Sequence, residues 1–174
     1  MNRKTAVLLA TVLPSPIGTL LLTGEPSATA PGGTALASLT VLAPDRAAAT
    51  AHRPTDHEAF TEITRQLAAY FDGTLTAFAV ECTARGTAFQ HLVWNALAHV
   101  PYGTTSTYER LAADIGSPGA ARAVGAALAA NPVLLVRPCH RVLGADGALR
   151  GYAAGTDAKQ HLLDHEAAHA RAAA

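Results

Sequence analysis

Cysteine, aromatic residues and charge are all scarce in this chain. Its 174 residues include 2 Cys, 1 Trp and 1 Met; aromatics make up 5% and charged residues 15%. The two cysteines, Cys82 and Cys139, lie far apart. That excludes a disulfide-stapled scaffold and fits a reduced, cytoplasmic setting. Neither has a CxxC partner or a histidine at zinc spacing, so no metal ligands are expected, and no cofactor. An excess of basic charge is missing as well. Lys plus Arg number 13 and Asp plus Glu 13, which argues against a strongly electrostatic nucleic-acid binder. No apolar run is long enough to span a membrane, and no membrane partner is expected. The start, Asn2 to Leu13, superficially looks like a secretion leader. No small-residue cleavage site follows directly, however, and Leu13-Pro14-Ser15-Pro16 reads as a turn between strands.

What the chain does have is apolar residues, 49% of the total, with Ala prominent. That is the composition of a globular protein long enough for a real core, as one domain or two small ones. In the N-terminal half, Thr5 to Leu13, Thr19 to Thr23 and Ala35 to Leu42 are apolar runs bounded by Pro, Gly and Ser, and predict strands. Gly24 to Gly33 predicts a loop. From His57 to Phe71 the period changes: Phe60, Ile63, Leu67 and Tyr70 recur at three- and four-residue steps, the signature of an amphipathic helix closed by Asp72-Gly73. Ala77 to Glu81 predicts one more strand, with Cys82 an inert residue beyond it. The expected class is an N-terminal α/β domain over 1–82, a small antiparallel sheet plus helix with a structural role. A mainly α C-terminal domain with a helix-turn-helix follows over 83–174.

In that second half, Thr87 predicts an N-cap for a helix whose buried face is Phe89, Val93, Leu97 and Val100. Ser106 to Glu109 reads as a capping box opening a helix to about Ile115, which Gly116 stops. Ser117-Pro118 predicts the start of a second helix running to Ala130. Two short helices across a Gly-containing turn match helix-turn-helix spacing, though a plain helical hairpin has the same pattern. Ala121, Val124 and Leu128 form one face of the second helix; Gly119, Arg122, Ala126 and Ala129 form the other. That outer face carries one long cation and little else. A bare face lets a backbone approach another surface closely, as a DNA minor groove about 6 Å wide requires. Basic residues also gather here: Arg122, Arg137, Arg141 and Arg150 meet only Asp146.

The densest chemistry lies between Asn131 and Leu143. An apolar run, Val133 to Val136, predicts a buried strand ending at Arg137-Pro138, with Cys139 and His140 on the turn that follows. A thiol beside an imidazole is a candidate nucleophile, although a lone Cys is more often an inert core residue. Beyond it, Val142-Leu143 and Ala148-Leu149 flank Asp146-Gly147, a hairpin signal. Gly151 to Gly155 predicts a permissive loop. Thr156 caps a last helix on which Ala158, Leu162 and Glu166 share a face. A carboxylate on such a stripe needs a partner, and His140 is the expected one. His161, His165 and His169 recur at helical spacing and are read as a solvated face.

These residues resemble the O6-alkylguanine-DNA alkyltransferase family. The match runs in order from Gly86 to Glu166: Gly86-Thr87, Phe89-Gln90, Val93-Trp94, Pro101-Tyr102-Gly103, Tyr108, Arg122 to Gly125, Asn131-Pro132, Pro138 to Val142, Gly151-Tyr152, Gly155, Lys159, and Leu162-Leu163 with His165-Glu166. The resemblance implies a monomer that binds double-stranded DNA containing O6-alkylguanine, flips the damaged base, and moves the alkyl group once and irreversibly to Cys139. O4-alkylthymine is a secondary substrate. By position, His140 resembles the base that deprotonates Cys139 through a water, and Glu166 the group that holds the imidazole. Tyr108 resembles the donor of a proton to guanine N3, and Arg122 the side chain that fills the gap left in the duplex. The implied DNA contacts are Arg122 with Ala121, Ala123, Gly125, Ala126 and Ala129 of the second helix, plus Asn131 and Arg141. The implied substrate pocket is Asn131, Val142, Tyr152 and Ala153. Ala154 stands where the family often has glycine, a change expected to narrow the pocket. Two other readings use the same residues: a lesion binder that transfers nothing, and a turnover cysteine hydrolase. The hydrolase reading gives the bare helix face no role.

Overall fold

The computed structural model describes residues 8–50 and 55–172. They form two compact units that divide between Ala84 and Arg85. Residues 1–7, and with them Thr5 to Val7 of the first expected strand, lie outside the described residues.

The first unit is built on three antiparallel strands in the order β1 (Leu9–Ser15), β2 (Gly18–Pro26), β3 (Thr34–Val41). The β1–β2 hairpin pairs Leu13 with Leu20 and Ser15 with Gly18, so Pro14 sits in an edge strand, where its missing N–H costs no ladder bond. Leu20, Leu22, Leu36 and Leu39 are fully buried. They pack in the same core as α2 (Thr61–Phe71), whose Ile63, Leu67 and Tyr70 fill the face expected from their spacing. Burying each such side chain is worth about 1.5–3 kcal/mol. A single 3-10 turn, Glu58–Phe60, precedes α2, so the expected helix is broken at its first turn. The sequence reading missed α1 (Pro44–Thr50), a short helix with no buried residue and therefore no apolar period to betray it. The strand expected over Ala77 to Glu81 does not form. Its end makes one parallel bridge, Leu36 with Cys82, flanked by Leu36 N–H to Glu81 O at 2.8 Å and Thr83 N–H to Leu36 O at 2.9 Å.

The second unit is mainly helical. α3 (Ala88–Leu97) begins with a complete capping box: Gln90 N–H donates to Thr87 Oγ1 at 3.2 Å, and the Gln90 side-chain oxygen Oε1 accepts from Thr87 N–H at 2.8 Å. Val93, Trp94 and Leu97 are buried, and Trp94 Nε1 donates to the Ala127 carbonyl at 2.9 Å. β4 (Ser106–Thr107) leads into α4 (Tyr108–Asp114), and α5 (Ala121–Ala129) follows across a turn. Two expected helix starts need correcting. Thr107, not Ser106, caps α4: its hydroxyl accepts from Arg110 N–H at 3.1 Å, and Ser106 lies one residue further back in β4. α5 starts at Ala121 rather than at Pro118, because Gly119 adopts φ +92°, which no helix accommodates.

The run after α5 also differs from expectation. Val133, Leu134 and Leu135 are buried, but as a tight turn rather than a strand. Arg137 N–H returns to the Val133 carbonyl at 3.1 Å, and Leu135 sits at φ +67°. Hydrophobicity reported the burial; four residues are too few to report the backbone path. The Asp146-Gly147 turn closes, with Gly144 N–H to Ala148 O at 3.0 Å, yet no hairpin ladder grows from it. β5 (Val142–Leu143) pairs in parallel with β4 instead. The unit ends in α6 (Thr156–Ala172), whose Lys159, Leu162 and Glu166 face inward.

Candidate active site

Cys139 opens a 3-10 turn, Cys139–Arg141, at the end of the buried loop that follows α5. Asn131, where α5 gives way to that loop, organises it. Its Oδ1 accepts from Val133 N–H at 3.1 Å; its Nδ2 donates to the Arg137 carbonyl at 2.9 Å and to Cys139 Sγ at 3.2 Å. One buried amide thus ties both ends of the loop to the sulfur. Burial raises the thiol above its ordinary pKa, opposed by the Asn131 hydrogen bond and by the charge of Lys159. At neutral pH the group is a thiol and needs a base before it attacks anything.

His140 and Glu166 are fully buried together, with His140 Nε2 and Glu166 Oε1 2.9 Å apart. Burial alone would raise the Glu166 carboxyl. Hydrogen bonds from His140 and Arg141 outweigh that and hold it at about 2. Burial also lowers the His140 pKa, against the pull of Glu166. The pair at neutral pH is therefore a carboxylate and a neutral imidazole. Such a carboxylate accepts, so the ring proton sits on Nε2 and Nδ1 carries the free lone pair. Nδ1 is buried and has no hydrogen-bond partner among the described residues. A basic nitrogen without a partner, on the residue next to a thiol, is what deprotonating that thiol requires.

The sulfur borders a pocket of about 400 Å³ lined by Tyr108, Gly125, Leu128, Ala129, Cys139, Gly151, Tyr152 and Ala153. That is within the range of about 300–1,000 Å³ typical of small-molecule sites. Tyr108 enters from the first turn of α4, and burial raises its phenol, so it is a neutral proton donor. Gly125 faces it: a Cβ there would lie in ordinary contact, 3.7 Å from the Tyr108 ring. Tyr152 stands edge-on to His140, ring centres 6.3 Å apart.

The chain is 46% identical over 158 residues to the methylated-DNA–protein-cysteine methyltransferase of Mycobacterium tuberculosis, covering 91% of this chain and 92% of that one. This chain belongs to the methylated-DNA–protein-cysteine methyltransferase family. The family model for the 6-O-methylguanine DNA methyltransferase DNA binding domain matches residues 88–168. A Methanosarcina acetivorans relative of the same name is 52% identical over 111 residues, 64% of this chain and 71% of its own. The crystal structure of Mycobacterium tuberculosis O6-methylguanine methyltransferase superposes with TM-score 0.80 at 42% identity, over 94% of both chains. The Mycobacterium tuberculosis protein solved in complex with DNA superposes with TM-score 0.79 at 44% identity, over 91% of this chain and 92% of that one.

Set against the residues expected of a member of this methyltransferase family, Cys139, Tyr108, Tyr152, Ala153, Gly125 and Ala129 meet at one pocket, with His140 and Glu166 paired behind it. Asn131 and Val142 do not line it. Asn131 sits behind the sulfur. Val142 is buried; its N–H donates to the Cys139 carbonyl, and its own carbonyl accepts from Lys159 Nζ at 2.7 Å, leaving one lone pair. Ala154 does not line the pocket, so the expected narrowing has no direct contact to act through. On α5, Arg122, Ala123, Ala126 and Ala129 are exposed, while Ala121 and Gly125 are half-buried.

Arg141 needs correction as a DNA contact. It is 7% exposed, its Nε and Nη2 donate to the two Glu166 oxygens at 2.8 and 2.9 Å, and its Nη1 donates to the Val100 carbonyl at 2.7 Å. A sequence shows a cation but not the direction in which it points. Glu166 also accepts from Gly103 N–H at 3.1 Å. Two positions at the site were missed from the sequence: Leu128 as pocket wall, and Lys159 as the cation whose field reaches the thiol; Gly151 lines the pocket, in the loop expected to be permissive enough to do so. The available signal for Lys159 was its place three residues before Leu162 and seven before Glu166, on the inward stripe of α6.

Proposed function

We propose that this chain repairs DNA by moving the alkyl group of O6-alkylguanine to its own Cys139. The observation that carries the reading is the buried His140–Glu166 pair on the residue next to a thiol that borders an open pocket. His140, through a water, removes the thiol proton, and Glu166 stabilises the imidazolium that forms. The thiolate attacks the alkyl carbon. A sulfur–carbon bond forms as the bond from that carbon to O6 breaks, and the electron pair passes into the guanine ring. Tyr108 donates a hydrogen bond or proton at N3, making the base a better leaving group. The product is a thioether, which these groups cannot hydrolyse, so each molecule reacts once.

In the same reading α5 lies along the minor groove of double-stranded DNA with its small residues Ala121, Ala123, Gly125, Ala126 and Ala129 against the backbone. Arg122 fills the space of the extruded nucleotide, and the base enters the pocket against Tyr152. Backbone groups of Val142 and Ala153 read its edge, and Asn131 is the hinge between α5 and the sulfur. The N-terminal unit is structural, the protein works as a monomer in the cytoplasm, and O4-alkylthymine is a second substrate. The decisive experiment mixes the full chain with a duplex containing O6-methylguanine. One added methyl on the Cys139 peptide and loss of the lesion are expected. An unmodified Cys139 beside unrepaired DNA would overturn the reading.

A further inference from the structure

The loop that carries Gly151, Tyr152 and Ala153 to the pocket also carries an ion pair that alkyl transfer leaves unused. Asp146 Oδ2 and Arg150 Nη2 are 2.8 Å apart, with 58% and 56% of their side chains exposed. The carboxylate is fixed by its turn, since its other oxygen accepts from Ala148 N–H at 3.1 Å. The guanidinium is folded back over the bare backbone of Gly144: a Cβ there would strike Asp146 and come within 3.0 Å of Arg150 Nε. The Arg150 backbone is anchored, its carbonyl 3.4 Å from Lys159 Nζ, and the next three residues line the pocket. Its charge reaches Tyr108 on the opposite wall, where it opposes the effect of burial on the phenol.

The other arginines of this segment have different surroundings. Arg141 is buried against Glu166, Arg137 lies 4.6 Å over the Trp94 ring, and Arg122 stands exposed on α5. Arg150 is thus a second exposed cation beside the pocket. An exposed pair of this kind adds little to stability, too little to compete with a duplex phosphate brought to the same place.

We propose that Arg150 is a phosphate-contacting residue at the lip of the alkyl-acceptor pocket, and that Asp146 is an exchangeable counter-ion which DNA displaces. The proposal rests on the alkyl-transfer reading and adds to it a residue and a control. While paired, Arg150 adds little to the attraction of the chain for passing nucleic acid. Once a duplex backbone runs past the pocket, the guanidinium turns from carboxylate to phosphate.

The test measures affinity of the full chain for an unmodified duplex across a range of salt concentrations, in a double-mutant cycle. Arg150→Ala should weaken binding and reduce the slope of log K against log salt by about 1, and Arg150→Lys should retain the slope. Asp146→Asn keeps an oxygen for Ala148 N–H while removing the charge, so the turn survives. It should tighten binding, by up to about fivefold. That gain should vanish in the Arg150→Ala background. An unchanged slope in Arg150→Ala would overturn the phosphate contact. An equal gain from Asp146→Asn in both backgrounds would overturn the exchange and leave simple repulsion by Asp146. Methyl transfer to Cys139 in the wild type, followed alongside, separates these outcomes. If the wild type neither binds DNA nor accepts a methyl group, the parent reading falls and this one with it.

Discussion

The side-chain amide of Asn131 donates to Cys139 Sγ at 3.2 Å while donating to the Arg137 carbonyl at 2.9 Å. A donor aimed at sulfur favours the thiolate over the thiol, and it opposes the rise that burial imposes on this group. Asn131→Asp preserves shape but offers the sulfur a carboxylate. The pH midpoint of Cys139 alkylation by iodoacetamide, followed by mass on that peptide, should move upward in this variant. An unmoved midpoint would show that Asn131 shapes the loop without acting on the thiol.

Glu166 gives the stability of the fold a defined pH dependence. Its carboxyl is held at about 2, against 4.5 for a solvated glutamate. Between those values the unfolded chain binds a proton that the folded chain refuses. The stabilisation is fully present above pH 4.5 and is lost as pH falls through 2; it amounts to about 3 kcal/mol. His140 acts with the same sign, because its pKa is lowered from 6.5 and the unfolded chain takes up that proton first. Urea midpoints should therefore decline below pH 6.5 and drop steeply below 4.5. In Glu166→Gln the steep limb should flatten, with a loss of about 3–5 kcal/mol at neutral pH because Arg141 remains buried without its counter-charge. A wild-type midpoint constant from pH 7 to 3 would contradict this account.

The legible parts of this site share a cause. Cys139 and His140 are adjacent in sequence, and Glu166 stands out as a carboxylate on an otherwise inward helix stripe, so their pairing follows from local pattern. The core of the first unit was legible in the same way, through the three- and four-residue steps of α2. What escaped depends on partners distant in sequence. Arg141 turns inward because Val100 and Glu166 meet it there, and Val142 pairs with Ser106 rather than with its neighbour across the Asp146-Gly147 turn. The path of Val133 to Val136 escaped because a short apolar run specifies burial and leaves the backbone to be set by Asn131 and by Leu135 at φ +67°.

In the proposed reaction Tyr108 acts on the leaving group rather than on affinity. It lines the pocket opposite the loop of Tyr152, and burial keeps its phenol protonated. Tyr108→Phe removes one oxygen from a half-buried side chain. The single-turnover rate of methyl transfer should fall by about 100-fold, with DNA affinity nearly unchanged. A matched loss of affinity and rate would instead make Tyr108 a binding group.

Lys159 should act on the thiol through its field. Its Nζ is buried 2.7 Å from the Val142 carbonyl, and its charge lowers the thiol pKa. Lys159→Met keeps the length and removes the charge, leaving that carbonyl without its donor at a cost of about 1–3 kcal/mol. Transfer should slow at pH 7, and the deficit against wild type should shrink as pH rises and the thiolate forms without help. A deficit of constant size across pH would assign Lys159 to packing alone.

Arg122 offers the cleanest separation of function from folding. Its side chain is exposed on α5 and makes no hydrogen bond or ion pair with the described residues. Arg122→Ala should therefore leave stability within about 0.5 kcal/mol of wild type. If the side chain fills the gap left by an extruded base, its loss matters only where a base must leave a stack. Extrusion costs a few kcal/mol in a duplex and far less in a single strand. Methyl transfer from a duplex should slow by about 10- to 100-fold, whereas transfer from a single strand carrying the same lesion should slow little beyond the loss of one phosphate-attracting charge. Equal slowing on both substrates would make Arg122 an ordinary electrostatic contact and leave the extruded base to be stabilised by the pocket alone.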